Sequence, residues 1–269
     1  MYIGTQMKLW VVVAACGAFV VIVWLIKTYV YPALVVREGP DRTADYDMWV
    51  CLTTVPERLS HPWFIENLRS LLTLNGTYRV LLTIPEQSAQ SQKKYNIPGE
   101  ILQMGADPAV PLCINRIDTD YGPITKLFGA LLSSIVPNTS LVLVCDDDIH
   151  YKPNFVVNMS ASYSRNEQAI HAYCNSRLMG FKGFMARKDV LLPILEYARS
   201  KSCFRIDDDF VTLATQKLAI PVVVVNYSFN WRCSMDDREN THPDWDQLNT
   251  DDRGTMRKKC SRDFARENR

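Results

Sequence analysis

The sequence lacks an excess of charge of either sign. Its 30 basic and 29 acidic residues leave a net charge of +1. Without such an excess there is no overall attraction to a phosphate backbone, which argues against a whole-chain nucleic-acid binder. Intrinsic disorder is excluded too, because it needs low hydrophobicity with high net charge, and 47% of this chain is hydrophobic. Eight cysteines in 269 residues are too few for a small disulfide scaffold. No C-x-x-C pair occurs, so a zinc site is not indicated. There is no internal repeat, and no linker divides Met48–Arg269, which reads as one domain. Cys51 and Cys145 fall in apolar strands and read as buried thiols, while Cys203, Cys233 and Cys260 are candidates for one disulfide of open pairing.

Apolar residues are concentrated at the start. Leu9 to Ile26 is a run of eighteen uncharged residues, about 27 Å long as a helix and close to a bilayer core. Lys8 and Lys27 bracket it, and Trp10, Trp24, Tyr29 and Tyr31 suit the interfaces. The run exceeds a signal-peptide core and lacks an A-x-A-like cleavage site. The expectation is therefore a short tail (1–8), a single transmembrane anchor (9–30), a stalk (31–47) and a large domain (48–269), with the membrane as a partner through the N-terminal helix. Orientation stays open. The basic bias across the span favours a cytoplasmic domain. Sequons at Asn75, Asn138, Asn158 and Asn226 permit a lumenal one.

From Met48 onward strands and helices alternate. Strands are expected at Met48–Val55, Tyr78–Ile84, Leu141–Cys145 and Pro221–Tyr227, with a short one at Ile101–Met104 or Cys113–Ile117. Helices are expected at Pro62–Thr73, Glu86–Tyr95, Ile124–Ile135, Pro153–Glu167, Lys188–Ala198 and Phe210–Leu218. This order predicts an α/β domain on a mostly parallel sheet, and uninterrupted apolar strands such as LVLVC predict a sheet covered on both faces. The tail Arg253–Arg269, with seven basic and two acidic residues, reads as a solvated or frayed end, or as a contact for anionic lipid.

Two acidic triplets carry the chemistry. Asp146-Asp147-Asp148 follows LVLVC directly, at a strand's carboxyl end, where open α/β sheets bind ligands. Alternate residues of an extended segment share a side, so Asp146 and Asp148 can converge while Asp147 points away. Two hard oxygen ligands suit Mg²⁺ or Mn²⁺ bound together with substrate phosphates; the plainer reading is a solvated loop capping the next helix. Asp207-Asp208-Asp209 precedes an apolar helix. It reads equally as N-terminal capping and as a base that takes a proton from a hydroxyl nucleophile. Lys126, in Asp120-Tyr-Gly-Pro-Ile-Thr-Lys126, lies in a first helical turn, where a cation opposes the macrodipole. It is either an ordinary surface lysine or one held for an anion. Thr54 and Arg58 end the first strand with groups that could meet a base or phosphate.

The series LTTVPERL, DYGPITKL, VLVCDDDIHY, GFKGFMARKDVL and CFRIDDDFVTLATQKLAI resembles, in order, the motifs of a group of GT-A type glycosyltransferases, over roughly Met48–Val225. The resemblance implies a GT-A (Rossmann-like) mixed, mostly parallel sheet flanked by helices. It implies a nucleotide-sugar donor, Mn²⁺ or Mg²⁺, and a glycan, glycoprotein or glycolipid acceptor. By position, Asp146 and Asp148 would hold the metal and Asp208 would be the base of an inverting transfer, with Asp207 beside it. Thr54, Arg58 and Asp147 would lie on the nucleotide side, and Lys126 near the nucleotide or its phosphates. Gly180 and Gly183 would form the turn beneath the acceptor. His242 is the candidate third metal contact, against a plain loop residue, with His150 and His171 behind it. Such enzymes commonly carry a single anchor in the Golgi or ER. Lys182 departs from the pattern, standing in the glycine turn where a small residue is usual, and so does Asp209. A metal-dependent nucleotidyltransferase and a non-catalytic metal-binding protein of the same fold are the alternatives.

Overall fold

A computed structural model describes residues 48–163, 166–173, 178–199, 201–225 and 253–268. In chain order these form strand β1 (Met48–Leu52), helices α1 (Pro56–Leu59) and α2 (Pro62–Leu71), and β2 (Arg79–Pro85). Then come α3 (Gly99–Ala106), β3 (Leu112–Ile117), α4 (Thr125–Leu132), β4 (Leu141–Val144) and α5 (Phe155–Tyr163). They are followed by β5 (Ile170–Tyr173), β6 (Phe184–Arg187), α6 (Lys188–Leu191), α7 (Asp207–Lys217), β7 (Val222–Val225) and α8 (Arg253–Glu267).

The seven strands make one sheet in the order β3-β2-β1-β4-β6-β5-β7. β1 pairs in parallel with β2 and β4, β2 with β3, and β5 with β7, whereas β6 runs antiparallel to both neighbours. This is the mixed, mostly parallel α/β sheet that the alternating pattern predicts. Strand periodicity sends Val50 and Leu52 into a core with Phe64 and Leu68 of α2 and Val156 of α5. Trp49 and Cys51 enter a second core with Leu127 and Phe128 of α4 and Phe210 of α7. With both faces covered, all five residues of β1 and all four of β4 are buried, as continuous apolar strands require.

The topology also brings the acidic triplets together. Parallel β1 and β4 end at one edge of the sheet. Antiparallel β6 begins there, since Val144 at the end of β4 pairs with Phe184 at the start of β6. The glycine turn before β6 therefore lies beside the triplet after β4.

Several expectations need correction. Glu86–Tyr95 is not a helix but a turn around a Gln87–Lys94 bridge. Ser88 Oγ accepts the Gln90 and Ser91 N–H groups there, and Gln92 takes a left-handed φ of 58°. A polar run with no apolar stripe has nothing to pay for a helix. Ile101–Met104 is helical within α3, and Cys113–Ile117 supplies the strand. β7 is a half-buried edge strand, with Val224 42% exposed. The basic tail is not a frayed end in 253–267: α8 is joined to the segment before α7 by a Cys203–Cys260 disulfide. Its Phe264 stacks on Tyr197 and meets Phe210 edge-on. Met256, Cys260 and Phe264 lie at helical spacing among many charges, and charge density says nothing about the face that docks.

The expected single-pass membrane protein of the Golgi or ER is contradicted: no helix among the described residues is long and apolar enough to cross a membrane. The run Leu9–Ile26, the stalk, Cys233 and His242 lie outside the described residues.

Candidate active site

Each carboxylate of the first triplet meets a different partner. Asp147 turns toward the end of β1, where Thr54 Oγ1 donates to it at 2.5 Å and Arg58 at 2.9 Å. Its backbone carbonyl accepts from Asn67 Nδ2 at 2.8 Å. Asp148 lies at the rim of the same guanidinium, 3.4 Å away. Asp146 turns the other way and takes Lys126 Nζ at 2.5 Å. Asp147 diverges from Asp146 as expected, but Asp148 shares Arg58 with Asp147 instead of joining Asp146 at Lys126, so these contacts do not bring Asp146 and Asp148 together; Thr54 and Arg58 tie the β4 corner to the segment after β1.

Lys126 is only 7% exposed at its side chain and is shared between the triplets, reaching Asp207 at 2.6 Å as well as Asp146. Its position is set by the segment before it. Asp120 accepts the Gly122 N–H at 2.7 Å and the Ala89 N–H at 2.8 Å, folding the chain into a short turn that opens α4. Gly122 has φ 69°, a left-handed geometry that glycine adopts without steric cost. Lys126 is thus held for an anion, and the anions in place are the protein's own carboxylates. Burial would depress its pKa, but Asp146, Asp207 and Asp208 outweigh it and hold the ammonium well above its usual range.

Gly180 stands where the two triplets meet. Its N–H donates to Asp208 Oδ1 at 3.0 Å, and its Cα faces Asp146 and Lys126 so closely that an added Cβ would overlap both. Gly183 closes the turn with φ 81°, against the Phe155 ring. Asp209 is set apart from the centre and pairs with Arg257 of α8 at 3.3 Å.

Charge is not balanced within this cluster. Burial, reinforced by Asp147 and Asp146, pushes the Asp148 carboxyl up to about 7. Burial, reinforced by Asp207 and Asp146, does the same for Asp208, also to about 7. Among the described residues no group of three or more His, Cys, Asp or Glu is arranged to hold a metal ion. His150 contacts Ser70 at the surface, and His171 is buried against the Asn166 carbonyl; both are used structurally.

Two members of the cluster escape a sequence reading. Asn67 was detectable as a polar residue inside the apolar stripe Phe64, Leu68 and Leu71 of α2. Tyr151 left no signal beyond its closeness to the first triplet. Its hydroxyl accepts the Asp146 N–H at 2.9 Å and donates to the Gly180 carbonyl at 3.0 Å.

No family model matches the chain, and no curated protein matches it in sequence. Solved structures with some likeness include 2-C-methyl-D-erythritol 4-phosphate cytidylyltransferase of Francisella tularensis, at 10% identity and TM-score 0.43, covering 68% of this chain and 91% of that one. TarS of S. aureus is another, at 11% identity and TM-score 0.45, covering 68% of this chain and 35% of that one. Its fragment 1-349 gives 12% and 0.41, covering 62% of this chain and 56% of that one. Likenesses this distant do not specify an activity.

Proposed function

We propose that the chain is a glycosyltransferase that moves a sugar from a nucleotide-diphosphate donor to a hydroxyl acceptor, with inversion and with Mn²⁺ or Mg²⁺. The observation that carries this reading is the bridge from Lys126 to both Asp146 and Asp207, with Gly180 donating to Asp208 beside it. In this reading the donor side at Asp146 and the base at Asp208 share one point at the sheet's carboxyl edge, where α/β folds bind ligands.

The residues fit a divalent cation in kind. Asp146 and Asp148 offer hard oxygens, and the Asp148 carboxyl is raised to about 7 by burial, with Asp147 and Asp146 adding to it. Two carboxylates are what Mg²⁺-type sites commonly take from a protein, the remaining positions going to water and substrate phosphates. A bound cation would supply Lewis-acid stabilisation of the departing diphosphate.

The chain's own residues supply the rest. Asp208 is held through one oxygen by Gly180 N–H, and its raised pKa suits a base working near neutrality. The acceptor oxygen bonds to the anomeric carbon, its proton passes to Asp208, and the carbon–oxygen bond to the diphosphate breaks with its electron pair leaving on the diphosphate. Lys126 keeps Asp146 and Asp207 in place from between them, and Arg58 and Thr54 keep Asp147 fixed under the corner.

The test is a panel of nucleotide sugars incubated with the full chain, with and without Mn²⁺, products being identified by mass. The expected result is cleavage of one donor class that needs Mn²⁺ and yields a glycoside when an acceptor hydroxyl is present. A nucleotidyl product, or no donor consumed, contradicts the reading.

A further inference from the structure

The phenol of Tyr151 has no part in the chemistry above, yet it lies between the two triplets. It is buried, 6% exposed, with its ring stacked on Phe155 at 4.6 Å between centroids. One hydroxyl serves two backbone groups from separate segments: the N–H of Asp146, at the end of β4, and the carbonyl of Gly180, in the turn before β6. Gly180 is thereby gripped on three sides. Tyr151 holds its carbonyl, Asp208 holds its N–H, and Asp146 and Lys126 fill the space where a Cβ would stand.

We infer that Tyr151 is a positioning residue whose hydroxyl couples the two acidic triplets, fixing Gly180 so that its N–H presents Asp208 toward the Asp146 corner. The catalytic half of this rests on the reading of Asp208 as the base; the mechanical half does not.

Tyr151→Phe keeps the ring and its stacking and removes the hydroxyl, with its two backbone hydrogen bonds and its contact to the Cys145 thiol. The expected result in the full chain is amide hydrogen exchange at least tenfold faster in 178–183, with the β1 and β2 peptides unchanged. Donor turnover should fall at least tenfold in kcat while the donor KM stays within about threefold, because the hydroxyl is buried and committed to backbone groups. In an Asp208→Asn background the same substitution should cost nothing further, since the two act as a unit. Asp208→Ala is the reciprocal variant and serves should Tyr151→Phe fail to fold: it releases Gly180 from its other side and should speed exchange at 146–151. Unchanged exchange in 178–183, or in 146–151 for the reciprocal variant, overturns the coupling. An equal further loss in the Asp208→Asn background overturns the route through Asp208. If no donor is consumed by the wild-type chain, the glycosyltransferase reading fails alone, and the exchange measurements still decide the coupling.

Discussion

The two aspartate triplets are identical in composition and opposite in construction. The first ends a buried strand, and its carboxylates divide between two sides: Thr54 and Arg58 hold Asp147, with Asp148 at the rim of the same guanidinium, and Lys126 of α4 holds Asp146. The second opens an eleven-residue helix with no side-chain cap bond at its N-cap residue, Ile206. There Asp207 goes to Lys126, Asp208 to the Gly180 N–H and Asp209 outward to Arg257. Helix N-terminal acids gain from the macrodipole whatever their partners, so capping alone would treat the three alike. The contacts do not. One triplet is a fixed corner, the other passes from the shared centre, at Lys126 and Gly180, to an outlying contact at Arg257, and Lys126 and Gly180 are where they become a single site.

That contrast can be broken at several points. The largest effect is expected at Asp208. Asp208→Asn keeps the shape and removes the base, so donor-to-acceptor turnover should drop about 10²–10⁴-fold, while Asp209→Asn should leave it within a few-fold; equal losses would erase the gradation. Next is the shared cation. Lys126→Met leaves two carboxylates facing each other in a nearly buried setting, and losing one partner of a buried pair costs about 3–5 kcal/mol, readable as a drop in denaturation midpoint. The tether on the second triplet comes third. Cys260→Ser opens a disulfide spanning 57 residues, for which a loss of about 2–4 kcal/mol is typical. It should loosen α8 and the start of α7 in hydrogen exchange, leaving β1 and β4 protected.

A fourth prediction concerns pH. The Asp148 and Asp208 carboxyls, at about 7 in the metal-free fold, lie above the unfolded value of about 3.9. The fold therefore binds their protons more tightly than the unfolded chain. The stabilisation is complete below about pH 4 and is lost as pH rises through about 7. A cation at Asp148 must displace that proton, so Mn²⁺ affinity should rise about tenfold from pH 6 to pH 8; a flat profile would remove Asp148 from the ligand set. The smallest effect is expected at the periphery: the Asp209–Arg257 pair has an arginine 47% exposed, and breaking it should cost less than about 1 kcal/mol.

The residues at strand ends were readable in the sequence because period-2 burial and the carboxyl-edge rule both act locally. The run LVLVC announced β4, and the alternation after it separated Asp147 from Asp146. What could not be read depends on contacts across the chain. Lys126 looked like a misplaced first-turn cation until its two carboxylates, one 20 and one 81 positions away, came into view. Tyr151 serves backbone groups, which leave no trace in side-chain spacing. Strands β5 and β6 are four residues each and carry His171, Ala172 and Ala186 in place of a branched apolar run, so propensity gave them no outline. In α8 Cys260 was already a disulfide candidate, but the charges concealed Phe264, which docks beside it.

The most direct measurement of the central claim is Mn²⁺-dependent binding of a nucleoside diphosphate by calorimetry, comparing the full chain with Asp146→Ala. A single site whose nucleotide affinity rises with Mn²⁺ in the wild type, and loses that dependence in the variant, is the predicted result. Binding that gains equally from Mn²⁺ in both proteins would contradict it.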